Sequence, residues 1–484
     1  MQFSVIQQIL GLLLILFSTA MLPPVMVSWF YHDGIEREFL GAFSLILGLG
    51  LLCWLLRRHH ENRELRRRDG FVVAVMFWVV LSLSGSLPFF LTTELDLSFT
   101  DAVFESVSGL STTGATVITS LDNLPKSILF YRQELEWLGG MGIVVLGVAL
   151  LPLLGIGGMQ LYQTEIPGPM KTNKLTPRIA ETAKALWLIY LSLTVACTMA
   201  YWAAGMTLFD AVGHSFSTVA IGGFSTHDAG IGYLNSGLIE ILAAFFMFLA
   251  GVNFSLHFFA WRRLSVQHYW RDEEFKVYLG ILVTVAILAS GYLWITRYLT
   301  EPLLALRHGI FYAISFGTTT GFTLSDYPQL PGFLPILLFM VTYIGACGGS
   351  VGGGMKVIRV LLLYKQGVRE IKRLIHPGAI IPLKIGDKSV SDQIIEGASG
   401  FIVIYVTCFI VIYLLLLATG LDMMTSFSAV TGCLNNLGAG LGQVAANFED
   451  INTLSKWVLC VAMLLGRLEI FPFLVLMLPS FWYD

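Results

Sequence analysis

Apolar stretches without a single Asp, Glu, Lys or Arg recur along the whole chain: Met1–His32, Leu40–Leu56, Gly70–Thr93, Trp137–Thr164, Ala185–Phe209, Ile241–Trp261, Val277–Thr296, Tyr327–Met355 and Gly397–Leu421. A last one, Val458–Pro479, is interrupted by Arg467 and Glu469. A helix of about 20 such residues crosses the hydrocarbon core of a bilayer, so the spacing predicts about ten spans. Charged residues make up 13% of the chain, against roughly 25% in soluble domains. That is too little charge to cover a water-exposed surface, and the mean hydropathy of +0.75 agrees. The expected fold class is an all-α polytopic membrane protein. The first stretch has no basic flank and is long for a cleaved leader, so it is expected to stay as a membrane segment.

A net charge of −3 gives no field that would recruit nucleic acid. The six cysteines, Cys53, Cys197, Cys347, Cys408, Cys433 and Cys460, include no Cys-x-x-Cys pair. They are expected to be small core residues rather than a metal or disulfide framework. No nucleotide-binding loop or convergent nucleophile–base pair is present, so an enzyme is not expected.

Basic residues gather in alternate connections. Arg57, Arg58, Arg63, Arg66, Arg67 and Arg68 follow the second stretch, and Lys171, Lys174 and Arg178 precede the fifth. Arg262, Arg263, Arg271 and Lys276 separate the sixth and seventh; Lys365, Arg369, Lys372, Arg373, Lys384 and Lys388 follow the eighth. The positive-inside rule puts all four clusters, and with them both termini, in the cytoplasm. These residues serve as topology anchors, with lipid contact as the alternative role.

The connections on the other side carry a pattern of their own. Ser106–Thr116, Ser215–Ser225, Ala313–Thr323 and Val430–Gly440 align without gaps and share a glycine in one column: Gly114, Gly223, Gly321 and Gly438. The motif returns roughly every 100 residues, the mark of an internal repeat. Each copy reads as span, short helix, glycine turn, span. Asp101 and Asp210 stand in N-cap-like positions and Pro302 near a helix start. Non-helical backbone at membrane depth is tolerated only where it is buried or lines a watery cavity. Four such turns about one axis would make a pore. The expected division is a two-span hairpin (1–69) followed by repeats 70–170, 171–270, 271–385 and 386–484.

Four span–pore loop–span units with one glycine each resemble the superfamily of K⁺ transporters that includes TrkH, KtrB and HKT. The two extra leading spans, the segment Trp137–Ile143 (Trp-Leu-Gly-Gly-Met-Gly-Ile) and the ending Gly466–Pro472 (Gly-Arg-Leu-Glu-Ile-Phe-Pro) are similar to its bacterial TrkH branch. The resemblance covers essentially the whole chain. It implies K⁺ uptake across the bacterial inner membrane, a homodimer, and a cytosolic TrkA-type subunit that binds nucleotides. K⁺ would be the transported ion, with no covalent cofactor.

On that basis the selectivity-filter candidates are Thr112, Thr113 and Gly114; Ile221, Gly222 and Gly223; Thr319, Thr320 and Gly321; and Asn436, Leu437 and Gly438. Backbone carbonyls would replace the ion's hydration shell, and glycine permits the curvature. The four loops differ in sequence, so discrimination is expected to be looser than in a pore of identical loops: Rb⁺ should pass. Six glycines crowd Gly345, Gly348, Gly349, Gly352, Gly353 and Gly354. Each costs a helix roughly 1 kcal/mol relative to Ala, so a broken helix with a mobile loop is expected; close helix packing is the alternative. In the proteins it resembles, this loop restricts passage below the filter, which makes Lys356 and Arg467 electrostatic candidates for a gate. Arg467 has a second explanation, snorkelling toward the cytoplasm. His214 is assigned no role.

Two mechanisms remain open from sequence. One is a channel-like permease; the other is an H⁺- or Na⁺-coupled transporter, for which Glu105, Glu240 and Glu469 are the main carboxylates on offer.

Overall fold

The computed structural model describes residues 2–56, 67–140, 142, 179–324, 327–386 and 388–483. Outside them lie Arg57, Arg58, Arg63, Arg66, Lys171, Lys174, Arg178, Asp326 and most of the expected span Trp137–Thr164. Among the described residues, the regular elements are helices apart from two short strands, Lys384–Ile385 and Lys388–Ser389, paired antiparallel.

A chain in lipid must satisfy its backbone polar groups within each crossing segment, which a helix does. Among the described residues, six helices are long and apolar enough to cross: Phe3–Tyr31, Glu36–Leu55, Arg68–Leu91, Ala183–Ala203, Glu273–Ile295 and Asp392–Ala418. Two of the expected spans are bent. The sixth stretch, expected as one helix, is Gly237–Ala250 and Phe254–Arg263 meeting at 95°. The last is Thr453–Arg467 and Phe471–Met477 meeting at 117°. The eighth holds only the helix Phe333–Ile344 before the backbone leaves helical geometry as far as Lys356. Apolar composition alone does not reveal a bend, because the pieces on either side are equally apolar.

Four short helices, Phe99–Leu110, Leu208–Ala220, Pro302–Gly317 and Met423–Leu434, each follow a long one. The first is buried on every face from Ala102 to Leu110. Ser106, Ser108, Ser111, Thr112 and Thr113 are buried, whereas Val403 on the outside of its long helix is 67% exposed. Apolar side chains lose nothing facing lipid tails, so the polar and small residues collect inside.

The leading hairpin packs through glycine. A Cβ on Gly11 would lie 2.8 Å from the Gly50 carbonyl oxygen, and one on Gly50 would lie 2.9 Å from that of Gly11. Small residues at a crossing let helix backbones approach closely. Gly11→Leu or Gly50→Leu should therefore lower stability by about 1–3 kcal/mol. A melting curve of the detergent-solubilised protein followed by size exclusion checks this; an unchanged midpoint for both variants would contradict the tight crossing.

Candidate functional site

The four short helices are started by different chemistry. Ser98 accepts from the Asp101 N–H (3.2 Å) and Thr207 from the Asp210 N–H (3.1 Å). Asp101 and Asp210 are thus not the caps expected from sequence. They stand at N3, where each carboxylate accepts from the capping hydroxyl at 2.6 Å. Asp422 caps the fourth helix through the Met424 and Thr425 N–H groups. Pro302 opens the third, where its missing N–H costs nothing.

All four end alike. The N–H groups of Thr112, Ile221, Thr319 and Asn436 reach the carbonyls of Gly109, Thr218, Phe316 and Cys433 at 2.9–3.3 Å. Those of Thr113, Gly222, Thr320 and Leu437 reach Ser108, Ser217, Ser315 and Gly432 at 2.7–2.9 Å. This pair of bonds is the Schellman arrangement, which requires a left-handed residue at its centre. Here that residue is Thr112 (φ 54°), Ile221 (55°), Thr319 (68°) or Asn436 (54°), with no glycine among them. A β-branched residue there is strained, on the order of 1–3 kcal/mol. The next residue returns to negative φ, and then Gly114, Gly223, Gly321 and Gly438 are left-handed again at 77–91°. Alternating the backbone's hand turns successive carbonyls toward one side.

The four turns close on one another. A Cβ on Gly114 would lie 2.0 Å from the Gly222 carbonyl oxygen; on Gly223, 2.3 Å from that of Thr320. On Gly321 it would lie 1.8 Å from the Leu437 oxygen, and on Gly438, 2.2 Å from that of Thr113. Each glycine faces the carbonyl just before the glycine of the next turn, and the fourth returns to the first. A single cavity of about 110 Å³ touches all four glycines.

Each turn is framed differently from behind. Glu105 accepts from the Val117 N–H and Thr116 hydroxyl (both 3.0 Å) and pairs with buried Arg132 at 2.7 Å. Arg132 also donates to the Thr116 hydroxyl and the Ser225 carbonyl, and lies 4.3 Å over the Phe224 ring. Glu136 accepts from the Phe224 N–H at 3.0 Å. The His214 ring holds the Ser225 hydroxyl at 3.0 Å, so it positions the second turn, a role missed from sequence. His214 and Glu105 occupy the same place relative to the turn glycine; that shared register was the available signal. Ser315 donates to the Phe322 carbonyl in the third turn. In the fourth, the Leu441 N–H donates to Ser428, and Asn436 Nδ2 reaches across to the Thr113 hydroxyl at 3.0 Å. Nearer the surface, His227 stacks on Tyr233 and meets Asp122 and Asp210. Burial opposes its charged form, but the two carboxylates prevail and raise its pKa. The His227 hydrogen bond holds Asp122 below its ordinary range.

The glycine-rich segment lies on the other side of the turns. The Gly353 N–H donates to the Thr319 hydroxyl at 2.7 Å, and a Cβ on Gly353 would lie 2.0 Å from the Asn435 carbonyl oxygen. Gly352 faces the Thr318 carbonyl, while Gly345 and Gly354 back onto each other with positive φ. The Cys347 N–H donates to Gly251 (3.0 Å) and the Phe254 N–H to Gly349 (3.1 Å), tying Gly348 and its neighbours to the 95° bend. Buried Lys356 donates to the Gly352 carbonyl. Arg467 donates to Val351 O at 3.0 Å and to Gly139 O, so its guanidinium binds carbonyls of the interior rather than snorkelling out. Glu240 pairs with Arg307 at 2.8 Å, and Glu469 with Arg359.

The model of the TrkH family, described as a cation transport protein, matches residues 36–482. The Trk system potassium uptake protein TrkH of Halomonas elongata is 54% identical across the full length of both chains. TrkG of Escherichia coli, also a Trk system potassium uptake protein, is 41% identical over 99% of this chain and 98% of its own. The crystal structure of the potassium transporter TrkH from Vibrio parahaemolyticus superimposes with a TM-score of 0.91 at 50% identity, covering both chains completely. The multi-pass helical architecture and this full-length similarity lead to one conclusion: the chain belongs to the TrkH family of cation transport proteins.

Proposed function

We propose that this protein takes up K⁺ through a channel-like pore on the axis of the four turns, arranged as four pseudo-fourfold repeats. The observation that carries the proposal is the closed ring in which each turn glycine faces the next turn's carbonyl. Thr112–Gly114, Ile221–Gly223, Thr319–Gly321 and Asn436–Gly438 supply the oxygens that replace water around the ion. The short helices end at this ring, and their negative dipole ends favour any cation beneath it. The relatives' names as potassium uptake proteins support the choice of ion.

A channel-like mechanism is favoured over coupling to H⁺ or Na⁺. Glu105, Glu240 and Glu469 are each engaged with an arginine, so none stands ready as a proton carrier. Reversal potentials in proteoliposomes separate the two: a channel follows the K⁺ Nernst potential, whereas a coupled transporter shifts with pH or Na⁺.

Replacing Gly114, Gly223, Gly321 or Gly438 with Ser puts a Cβ where the neighbouring carbonyl stands. A misfit of about 1.4 kcal/mol lowers the K⁺ over Na⁺ permeability ratio about tenfold. Unchanged ratios in all four variants would contradict the filter.

The segment Gly345–Lys356 acts as the gate beneath the filter. Lys356 and Arg467 hold its carbonyls and set positive charge beside the ion path. Deleting Gly348–Gly354 should raise ⁸⁶Rb⁺ uptake into proteoliposomes without a cytosolic partner, and Arg467→Ala should raise it less. Lower or unchanged uptake in folded deletion protein would reject the gate.

The protein resides in the bacterial inner membrane with both termini cytoplasmic, works as a homodimer, and answers to a cytosolic TrkA-type nucleotide-binding subunit. The Trk system named for its relatives supports such a partner. In a background without native cysteines, Cys at positions 66, 174, 271 and 372 should resist an impermeant thiol reagent in intact cells. Cys at 96 and 326 should react; labelling of the first group would overturn the topology.

A further inference from the structure

The long helix Glu273–Ile295 begins with three consecutive carboxylates, Asp272, Glu273 and Glu274, among basic neighbours. Only Asp272 has an ordinary duty: its side chain caps the helix by accepting from the Phe275 N–H at 2.8 Å. Glu274 is buried and turns away from its own helix. One of its oxygens, Oε1, accepts from the Gly348 N–H at 2.6 Å and from the Ile358 N–H at 3.1 Å. These donors stand at opposite ends of the glycine-rich segment. Between them lie Gly352 and Gly353, set against the third and fourth turns, and Val351, whose carbonyl accepts from Arg467.

We propose that Glu274 is the positioning residue that cinches the gate loop shut, a role that rests on the gating function assigned above. Joining both ends of the segment to one oxygen atom makes it a lasso. Its middle cannot swing off the axis unless at least one end lets go. The loop has few side chains with which to anchor itself, so backbone hydrogen bonds carry the restraint. Oε1 serves both donors at once, so losing it leaves two buried N–H groups without their partner.

The neighbouring residue extends the linkage outward. Glu273 pairs with Lys365 on the helix Val357–Ile375 and accepts from the Gly386 N–H at 2.7 Å. Lys365 in turn donates to the Lys384 carbonyl at 2.7 Å, at the start of the strand pair. Glu273 thus holds the cytoplasmic helix and hairpin while Glu274, on the next residue, holds the loop under the filter. A pull on the helix Val357–Ile375 draws the Ile358 N–H directly away from Glu274.

The test compares full-length variants in proteoliposomes, with ⁸⁶Rb⁺ as the probe, no partner subunit, and equal reconstitution of monodisperse protein. Glu274→Ala removes the shared acceptor and should raise uptake about tenfold, as expected for losing two buried hydrogen bonds. Glu274→Gln keeps a side-chain oxygen and should stay below the Ala variant. Ile358→Pro deletes one donor within the first helical turn, where proline is tolerated, and should also raise uptake. The K⁺ over Na⁺ permeability ratio should stay at the parent value in all three, since the filter is untouched; general loosening of the fold would lower it. Parent-like uptake in both Glu274→Ala and Ile358→Pro overturns the latch, as does uptake in the Gln variant equal to that of the Ala variant. The Gly348–Gly354 deletion in the same assay separates the failures. If the deletion opens the pore and Glu274→Ala does not, the latch alone is wrong; if neither does, the gate itself is.

Discussion

Backbone polar groups held away from water must find partners, and in this protein they find them in four nearly identical helix ends. Each short helix closes its last turn with the same two hydrogen bonds and a left-handed residue at the same position, then turns left-handed again at a glycine. That geometry lets the four turns meet with no side chain between them, each glycine against the next carbonyl. A side chain at any one of these positions would push two neighbouring turns apart. The long helices, the packing of buried apolar and small polar residues, and the buried ion pairs all serve to hold four backbone segments at this distance.

The frames behind the turns show how unequal chemistry supports equal geometry. Behind the first turn stand Glu105 and Arg132; behind the second, His214 and Glu136; behind the third and fourth, serine hydroxyls. A buried charge without a partner would be very costly, and Arg132 spends its donors on Glu105, Thr116 and Ser225 at once. The result ties the first turn to the second. Asn436, bonded to Thr113, ties the fourth to the first.

The glycine-rich segment answers to the opposite requirement. Half of its residues are glycine, and besides its own Lys356 its place is set by groups from elsewhere: Thr319, Arg467, Gly251, Phe254 and Glu274. A segment anchored largely by others can be released by moving them. Tightly held turns above and a borrowed restraint below suit the proposed pore, which would select continuously but conduct on demand.

Much of this was legible from residues. Charge-free stretches announce membrane helices because hydrocarbon tolerates little else, and the shared glycine column marks the four turns because no side chain fits there. Glycine crowding announced the broken helix between Ile344 and Val357. Other features are not written in local composition. The bends of 95° and 117° lie between equally apolar pieces, and the true caps, Ser98 and Thr207, sit one turn ahead of the aspartates that drew attention. Which carboxylate meets which donor depends on partners far away in the chain: Glu105 on Arg132, Glu274 on Gly348 and Ile358, Arg467 on Gly139 and Val351. Sequence therefore determined which stretches are apolar enough for a membrane and where the four glycine turns fall, since both follow from solvation and sterics within a few residues. Only the tertiary structure decided how those turns face one another and what holds the loop beneath them, because hydrogen bonds between distant segments exist only once the helices have packed.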